Sequence, residues 1–325
     1  MAQPNPSRTS SAWPASSGWA PRTGPAMRRA LRGPLAGYLF ILPAVLYLVV
    51  LIVYPIVVSV QLSLSKLLPD LSMRWVGIEN FARLFQDKAF WRSVGVTGEF
   101  TAITVVLHLV VGMAFALLLN HRWPSLWLRN LLRGLIILPW IFSSAASSLM
   151  WTLLLHPYGT LNYLARTWFG VQEPIAWFAT PVSAILTLAV VNLWHSFPFY
   201  MVIMLGGLQA IPGELYEAAK VDGASSRQSF WQITVPILRP VIVALTVIDM
   251  IGTVAMFDLV RLLTGGGPNR ATETLAYYLY RAAFLDGRIN FAAAVSVVIL
   301  VGLLVFVGTY LRLFARGGVD ESSSF

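Results

Sequence analysis

Six long apolar runs dominate the pattern of hydrophobic and polar positions along the chain. They fall at about residues 35–62, 94–119, 131–155, 181–207, 240–263 and 291–314. Each has roughly the 20 residues that an α-helix needs to cross the hydrocarbon core of a bilayer. The pattern therefore predicts an all-α integral membrane domain over residues 35–315 with six transmembrane helices. Open β-structure at this depth is excluded, because lipid offers no partner for unpaired backbone groups.

The amino-acid composition also indicates that the chain is surrounded by lipid. Hydrophobic residues make up 57% of the chain and charged residues only 11%, against roughly 25% charged residues in a soluble domain. The net charge of +9 is typical of basic residues that flank membrane spans and contact anionic lipid headgroups. We therefore expect membrane lipid as a partner and no nucleic acid.

The two ends of the chain are predicted to be tails. Residues 1–34, rich in Ser, Pro, Ala and Arg, are expected to form a disordered basic tail, and residues 316–325 a second tail. The apolar run after Arg32 is too long for a signal peptide, which indicates a retained first span. Six spans place both tails on one side of the membrane. Arg122, Arg129 and Arg133 in the short second connection, which has no acidic residue, favour the cytoplasmic side.

Motifs for catalysis are missing from the sequence. The turn at Gly265–Pro268 lacks the Gly-Lys-Ser/Thr that a phosphate-binding loop requires, so ATP would have to be hydrolysed by another chain. There is no His-Glu-x-x-His, there are four scattered histidines, and there is no cysteine. We expect no metal site, no bound cofactor and no enzymatic activity of this chain.

The connection at residues 206–240 is unlike a passive linker. Pro212 suits a first helical turn, Glu214 and Glu217 suit a helix N-terminus, and Gly223 interrupts that helix. A second amphipathic turn is predicted to run to Val235, before Pro236. We expect two short helices that meet at a bend and lie along the membrane surface.

This segment closely resembles the EAA loop of binding-protein-dependent ABC importer permeases, whose consensus is Glu-Ala-Ala, three residues, then Gly. The matching residues are Glu217, Ala218, Ala219 and Gly223, and Asp222, Ala224, Phe230, Pro236 and Pro240 fit the carbohydrate branch. Residues 151–162 and 256–284 resemble segments of maltose-type and glycerol-phosphate-type permeases. The chain departs from the best-known maltose permease because it has no room for extra N-terminal helices or a large periplasmic insertion.

The resemblance implies a type I ABC importer permease fold and a transport function. Such a permease would carry a di- or oligosaccharide such as maltose or trehalose, or glycerol phosphate, across the bacterial plasma membrane by alternating access. The implied partners are a second homologous permease, two ATPase subunits that use ATP and Mg, and an extracytoplasmic solute-binding protein. The loop at 208–239 would dock on the ATPase through Glu217, Ala218, Ala219, Asp222 and Gly223.

Polar side chains inside apolar spans are candidates for the solute path, because burying them in lipid costs free energy unless they face a partner or a water-filled cavity. The candidates are Glu99, His108, Asn192, His195, Asp249 and Asp258. Since the family's cavity is lined by the fourth to sixth spans, Asn192, Trp194 and Asp249 are the leading hypotheses for solute contact. The alternative for Asn192 is a hydrogen bond to a neighbouring helix, and for Trp194 a place in an aromatic belt.

Two other functional classes stay open at this level. In an ion-coupled secondary carrier the intramembrane acidic residues would have the main role, and the 206–240 segment would have no function. A membrane-embedded enzyme would require converging nucleophile, acid/base or metal residues. The sequence does not identify the solute.

Overall fold

The computed structural model describes residues 34–314 except Pro69, Leu71 and Arg122. The tails predicted at 1–34 and 316–325 lie outside this part, apart from Pro34, where the first helix begins. The chain forms two compact units with their boundary between Val57 and Val58. The first unit contains α1, a π-helical turn and the start of α2, and the second contains all other described elements.

Helices account for most of the described chain. The N-terminal half contains α1 Pro34–Leu48, a π-helical turn Val49–Val53, α2 Tyr54–Ser63, α3 Glu79–Gln86, α4 Lys88–Asn120, α5 Leu126–Ile141 and α6 Ser144–Leu154. The C-terminal half contains α7 Thr160–Phe169, α8 Pro181–Gln209, α9 Gly213–Val221, α10 Ser226–Ser229, a π-helical turn Phe230–Thr234, α11 Val235–Val254, α12 Asp258–Leu263, α13 Leu275–Tyr280, a π-helical turn Arg281–Leu285 and α14 Ile289–Phe314. Strands β1 Ser65–Leu67 and β2 Met73–Trp75 pair antiparallel.

Five continuous helices in the described residues are long and apolar enough to cross a membrane. They are Phe40–Ser63, Lys88–Asn120, Pro181–Gln209, Ser226–Val254 and Ile289–Phe314. The bent pair of α5 and α6 makes a sixth span if it is counted as one. The prediction of an all-α membrane fold is confirmed.

The third apolar run is not a straight helix. The run predicted at 131–155 is divided into α5 and α6, whose axes differ by 96°. The break has a local cause, because the side chain of Ser143 accepts a hydrogen bond from the backbone N–H of Ala146 and so caps a new helix. The bend places the small polar residues of α6 beside α8.

The fifth span differs from its prediction in both bounds. The expected span was 240–263, but the helix runs continuously over Ser226–Val254 and ends before α12. Pro236 lies in the first turn of α11, where a missing N–H is tolerated, and follows a π-helical turn closed by a hydrogen bond from Val235 N–H to Phe230 O. Of the two short surface helices expected here, only α9 is separate, since the second continues into the span.

The interior is built around α8. One cluster of buried side chains joins α8 to α4 and α11, and a second joins α8 to α4, α12 and α13. At the closest approach, a Cβ built on Gly112 of α4 would lie 2.7 Å from the Cβ of Tyr200 and 3.2 Å from the backbone nitrogen of Met201. The absence of a side chain at Gly112 therefore permits the tight α4–α8 contact.

Two buried asparagines hold the connection after α2. The side-chain amide of Asn80 donates to the carbonyl oxygens of Ser63 and Ser65, at 2.8 and 2.9 Å. The amide of Asn290 donates to Leu62 O at 3.0 Å and its oxygen accepts from Leu67 N–H at 3.0 Å. These bonds satisfy backbone groups that would otherwise be buried without partners.

The connection between α12 and α14 is ordered by buried charges. The Glu273 carboxylate is buried and lies 2.9 Å from Arg281 Nε. Burial raises the pKa of Glu273 above its ordinary value, although Arg281 and Arg270 act to lower it. The hydroxyl of Tyr278 donates to Asp87 at 2.7 Å and so ties this connection to the start of α4.

We predict that Gly112→Ala lowers the stability of the protein by about 1–3 kcal/mol, because the added methyl group overpacks the α4–α8 contact. The matched control is Gly98→Ala on the same helix, where a Cβ meets nothing within 4 Å. Thermal unfolding of the purified protein in detergent measures both. Equal unfolding temperatures for the two variants would contradict the packing argument.

Candidate functional site

A cavity of about 490 Å³ opens where α5, α6, α8 and α11 meet the turn before α12. Its lining consists of Trp140, Ser144, Ser147, Ser148, Val191, Asn192, His195, Ser196, Phe199, Tyr200, Ile248, Asp249, Gly252, Thr253, Ala255, Met256, Phe257, Asp258 and Leu259. Aromatic rings, hydroxyl groups and an amide thus converge on one space between helices. This combination is suited to a polar organic molecule.

Asn192 presents an unused donor at this cavity. The residue is 3% exposed, and its amide nitrogen has no hydrogen-bond partner among the described residues. Its amide oxygen accepts from the Ser196 hydroxyl at 3.2 Å. A buried polar group without a partner is costly, and this nitrogen is enclosed, so it would reach a solute after the side chain turns toward the cavity.

Asp249 is engaged on both carboxylate oxygens. Oδ2 lies 2.8 Å from Nδ1 of His108, and Oδ1 accepts from the Thr253 hydroxyl at 3.2 Å. The ring of His108 stacks on that of Tyr200 with centroids 4.8 Å apart. Asp249 is therefore a buried anchor between α11 and α4, as well as part of the cavity wall.

Trp194 does not line the cavity, although sequence reasoning grouped it with Asn192. Residues two apart on a helix point to nearly opposite sides, whereas His195 and Ser196 lie on the same face as Asn192. Trp194 packs edge-on against Trp151, with ring centroids 5.5 Å apart. Among the three candidates for solute contact, the structure brings Asn192 and Asp249 together.

Of the other polar candidates, His195 and Asp258 line the cavity, while Glu99 and His108 do not. The ring nitrogen Nδ1 of His195 lies 3.3 Å from the hydroxyl of Ser147.

Sequence reasoning missed the serines of α6 and the aromatic residues of the wall. Ser144, Ser147 and Ser148 reach the cavity only because the chain bends at Ser143. The spacing of these serines within an apolar run was the available signal. Tyr200 could have been found from the face it shares with Asn192 and Ser196 at helical spacing.

The charge of the cavity is one-sided. Among the lining residues that the structure describes there is no Lys and no Arg, and Asp249 and Asp258 are the carboxylates. A cation on a bound solute would find acceptors here, and an anion would find no opposing charge in this wall. The wall is suited to an uncharged molecule that carries hydroxyl groups.

The second candidate site is the surface helix α9 and the turn that follows it. Glu217, Ala218 and Asp222 are exposed, and Ala219 is half-buried. Gly223 has a φ of +78°, a conformation that favours glycine, and the exposed turn here leaves open space around it. The next helix starts at once, because the Ser225 and Gln228 side chains form a capping box.

Comparison with known proteins gives consistent matches. The family model described as binding-protein-dependent transport system inner membrane component matches residues 109–317. The chain is 34% identical over 279 residues to the trehalose/maltose transport system permease protein MalF of Thermococcus litoralis, covering 85% of this chain and 92% of that protein. It is 34% identical over 285 residues to the sulfoquinovosyl glycerol transport system permease protein SmoG of Agrobacterium fabrum, covering 86% of this chain and 90% of that protein.

A solved structure shares the fold. The bacterial alginate ABC transporter in complex with an alginate pentasaccharide-bound periplasmic protein contains a chain that superposes with a TM-score of 0.77 at 22% identity. The match covers 90% of this chain and 97% of that chain. At this identity the likeness establishes the architecture.

We predict that His108→Leu lowers stability by about 3 kcal/mol, because it leaves the Asp249 carboxylate buried without its partner. Adding Asp249→Asn to the same chain should recover part of this loss, since the group left behind is neutral. Thermal unfolding in detergent is measured for the two single variants and the double variant. The three stability losses together give the interaction free energy between the two side chains. A double variant whose loss equals or exceeds the sum of the single losses would show that the two side chains do not stabilise one another.

Proposed function

Because this chain belongs to the family of binding-protein-dependent transport system inner membrane components, we propose that its cavity carries an uncharged sugar across the membrane. The chain is a multi-pass permease subunit of an ABC importer, and it is not itself an enzyme. The observation that carries the proposal is the chemistry of the cavity wall, which combines aromatic rings, serine hydroxyls and the free amide of Asn192.

Sugars need this combination of groups. The apolar face of a pyranose ring packs on an aromatic ring, while its hydroxyls exchange hydrogen bonds with amide, hydroxyl and carboxylate groups. Trp140 and Phe199 supply two rings in contact, with centroids 5.4 Å apart, and Phe257 supplies a third. Asn192 supplies a donor, and Asp249 and the α6 serines supply acceptors. The trehalose/maltose system named among the relatives supports a neutral sugar, and the sulfoquinovosyl glycerol system, whose solute carries a sulfonate, supports the glycosyl part alone.

The charge of the wall favours a neutral sugar over glycerol phosphate. A phosphate would face Asp249 and Asp258 without a basic side chain from the described lining. Pairing a buried anion with a cation is normally required, because desolvation is costly. An uncharged di- or oligosaccharide avoids this cost.

Asn192 and Asp249 are proposed to contact the solute, with Trp194 behind them. The Asn192 amide would donate to a sugar hydroxyl. Asp249 would accept from the solute with the lone pairs that His108, Thr253 and Tyr200 leave unused. Trp194 would support the wall through its contact with Trp151.

The exposed face of α9 is proposed to dock on an ATPase subunit. Glu217 is free to pair with a basic group, the alanines at 218 and 219 permit close helix approach, and Gly223 provides the turn. The assembly would contain two ATPase subunits, which use ATP and Mg, a second homologous permease and an extracytoplasmic solute-binding protein. The alginate transporter complex, which includes a periplasmic protein, supports the last of these.

The proposed setting is the bacterial plasma membrane, with both termini in the cytoplasm. α9 would then face the cytoplasm, where ATP is available.

Uptake in cells tests the proposal. A strain that lacks the gene should lose ATP-dependent uptake of one uncharged sugar from a panel of labelled maltose, trehalose, lactose and glycerol 3-phosphate, and the gene on a plasmid should restore it. Restored uptake of glycerol 3-phosphate alone would contradict the neutral-sugar assignment. Uptake that continues when ATP hydrolysis is blocked would indicate a carrier instead.

The same cells test the solute contacts. Asn192→Ala and Asp249→Ala are each expected to lower uptake by roughly tenfold, for a lost hydrogen bond to the solute, and Trp194→Ala by less, because it removes a support behind the wall. Thr309→Ala is the control, because its hydroxyl bonds only to Val305 O of its own helix. Wild-type uptake in all three variants, at equal amounts of membrane protein, would remove the proposed contacts.

A further inference from the structure

One tyrosine turns inward from the surface helix α9. Tyr216 and Ala219 are half-buried, while the other residues of Gly213–Val221 are exposed. The ring of Tyr216 packs against the cluster of buried side chains that joins α4, α8 and α11. A helix of nine residues is too short to be stable alone, so this face must hold it in place.

The hydroxyl of Tyr216 lies 2.8 Å from the hydroxyl of Thr234. Thr234 is 3% exposed and ends the π-helical turn in the helix Ser226–Val254. π-helical turns are frequent at functional sites, where they redirect a side chain out of the regular pattern. The bond therefore joins α9 to the next membrane helix at a defined point.

Apart from this bond, α9 is attached to that helix by residues 222–225 and by the packing of the Tyr216 ring, which is non-directional. The link at 222–225 contains Gly223 in a left-handed conformation, surrounded by open space. Ring packing and a link of this kind leave the angle between the two helices weakly defined. The hydrogen bond, whose two residues are 18 apart along the chain, adds a directional attachment that defines this angle.

The helix so attached also carries the cavity wall. Asp249 lies on it roughly 22 Å beyond Thr234, from the rise per residue of an α-helix. We infer that the Tyr216–Thr234 hydrogen bond makes α9 and Ser226–Val254 move as one body, so that Tyr216 is a positioning residue for transport. The inference rests on the proposed function, because only an ATPase docked on α9 would make this pair of helices a lever.

The test uses the complete transporter with its partner subunits in proteoliposomes, and measures solute moved per ATP hydrolysed. Tyr216→Phe and Thr234→Val each remove one hydroxyl and keep the shape of the side chain. Both are expected to retain the ATPase subunit and to hydrolyse ATP, while the solute moved per ATP falls roughly fivefold. The double variant should be no worse than either single variant, since both remove the same bond.

Two further variants separate the bond from packing. Thr246→Val is the control, because its buried hydroxyl bonds only to Ile242 O of its own helix, and it should transport as wild type. Thr234→Ser keeps the hydroxyl and should also retain the wild-type ratio.

Three results would each overturn the inference. The first is an unchanged amount of solute moved per ATP in Tyr216→Phe or Thr234→Val. The others are additive losses of that ratio in the double variant, and a ratio in Thr234→Ser as low as that in Thr234→Val. An ATPase subunit that does not bind the wild-type chain would instead overturn the proposed function.

Discussion

The pair formed by His108 and Asp249 fixes the position of α11 relative to α4. Their side chains lie 2.8 Å apart and are 1% and 4% exposed, and the two residues, 141 apart in sequence, join α4 to α11. Apolar contacts alone are weakly directional in lipid, because the lipid tails are as apolar as the side chains. A buried polar pair instead has one good geometry, and losing it leaves Asp249 Oδ2 without the ring nitrogen that it pairs with. The position of α11 against α4, and with it one wall of the cavity, follows from this bond.

The helix Ser226–Val254 is the common element of both sites. Near its start, Thr234 bonds to the surface helix α9, and near its end Asp249 and Thr253 line the cavity. The tight contact of α8 with α4 at Gly112 gives this helix a rigid surface to pack against. A displacement imposed on α9 would therefore reach the cavity wall through one continuous helix, without a chain of intermediate contacts.

Much of this arrangement could be predicted from the sequence, because the signals are long or local. The apolar runs are long enough to identify membrane helices whatever their packing, and the spacing of Glu217, Ala218, Ala219 and Gly223 belongs to a continuous motif. The bend at Ser143 and the continuity of the fifth span through Pro236 and Pro240 depend on caps and on a π-helical turn that composition does not reveal. The partner of Asp249 depends on which helices pack together, whereas the separation of Trp194 from Asn192 does not. Helical spacing alone would have separated Trp194 from Asn192.

Docking of a separate ATPase on α9 is the central claim, and co-purification tests it most directly. The wild-type chain and a Glu217→Ala, Gly223→Pro double variant would be isolated from native membranes in lipid nanodiscs, and the bound proteins identified by mass spectrometry. Glu217 on α9 and Gly223 in the turn after it are both exposed, so the membrane helices should fold in the variant. An ATPase subunit retained by the wild type and lost from the variant is the predicted result. An ATPase bound equally to both would contradict docking at this site, and none bound to either would contradict the importer mechanism itself.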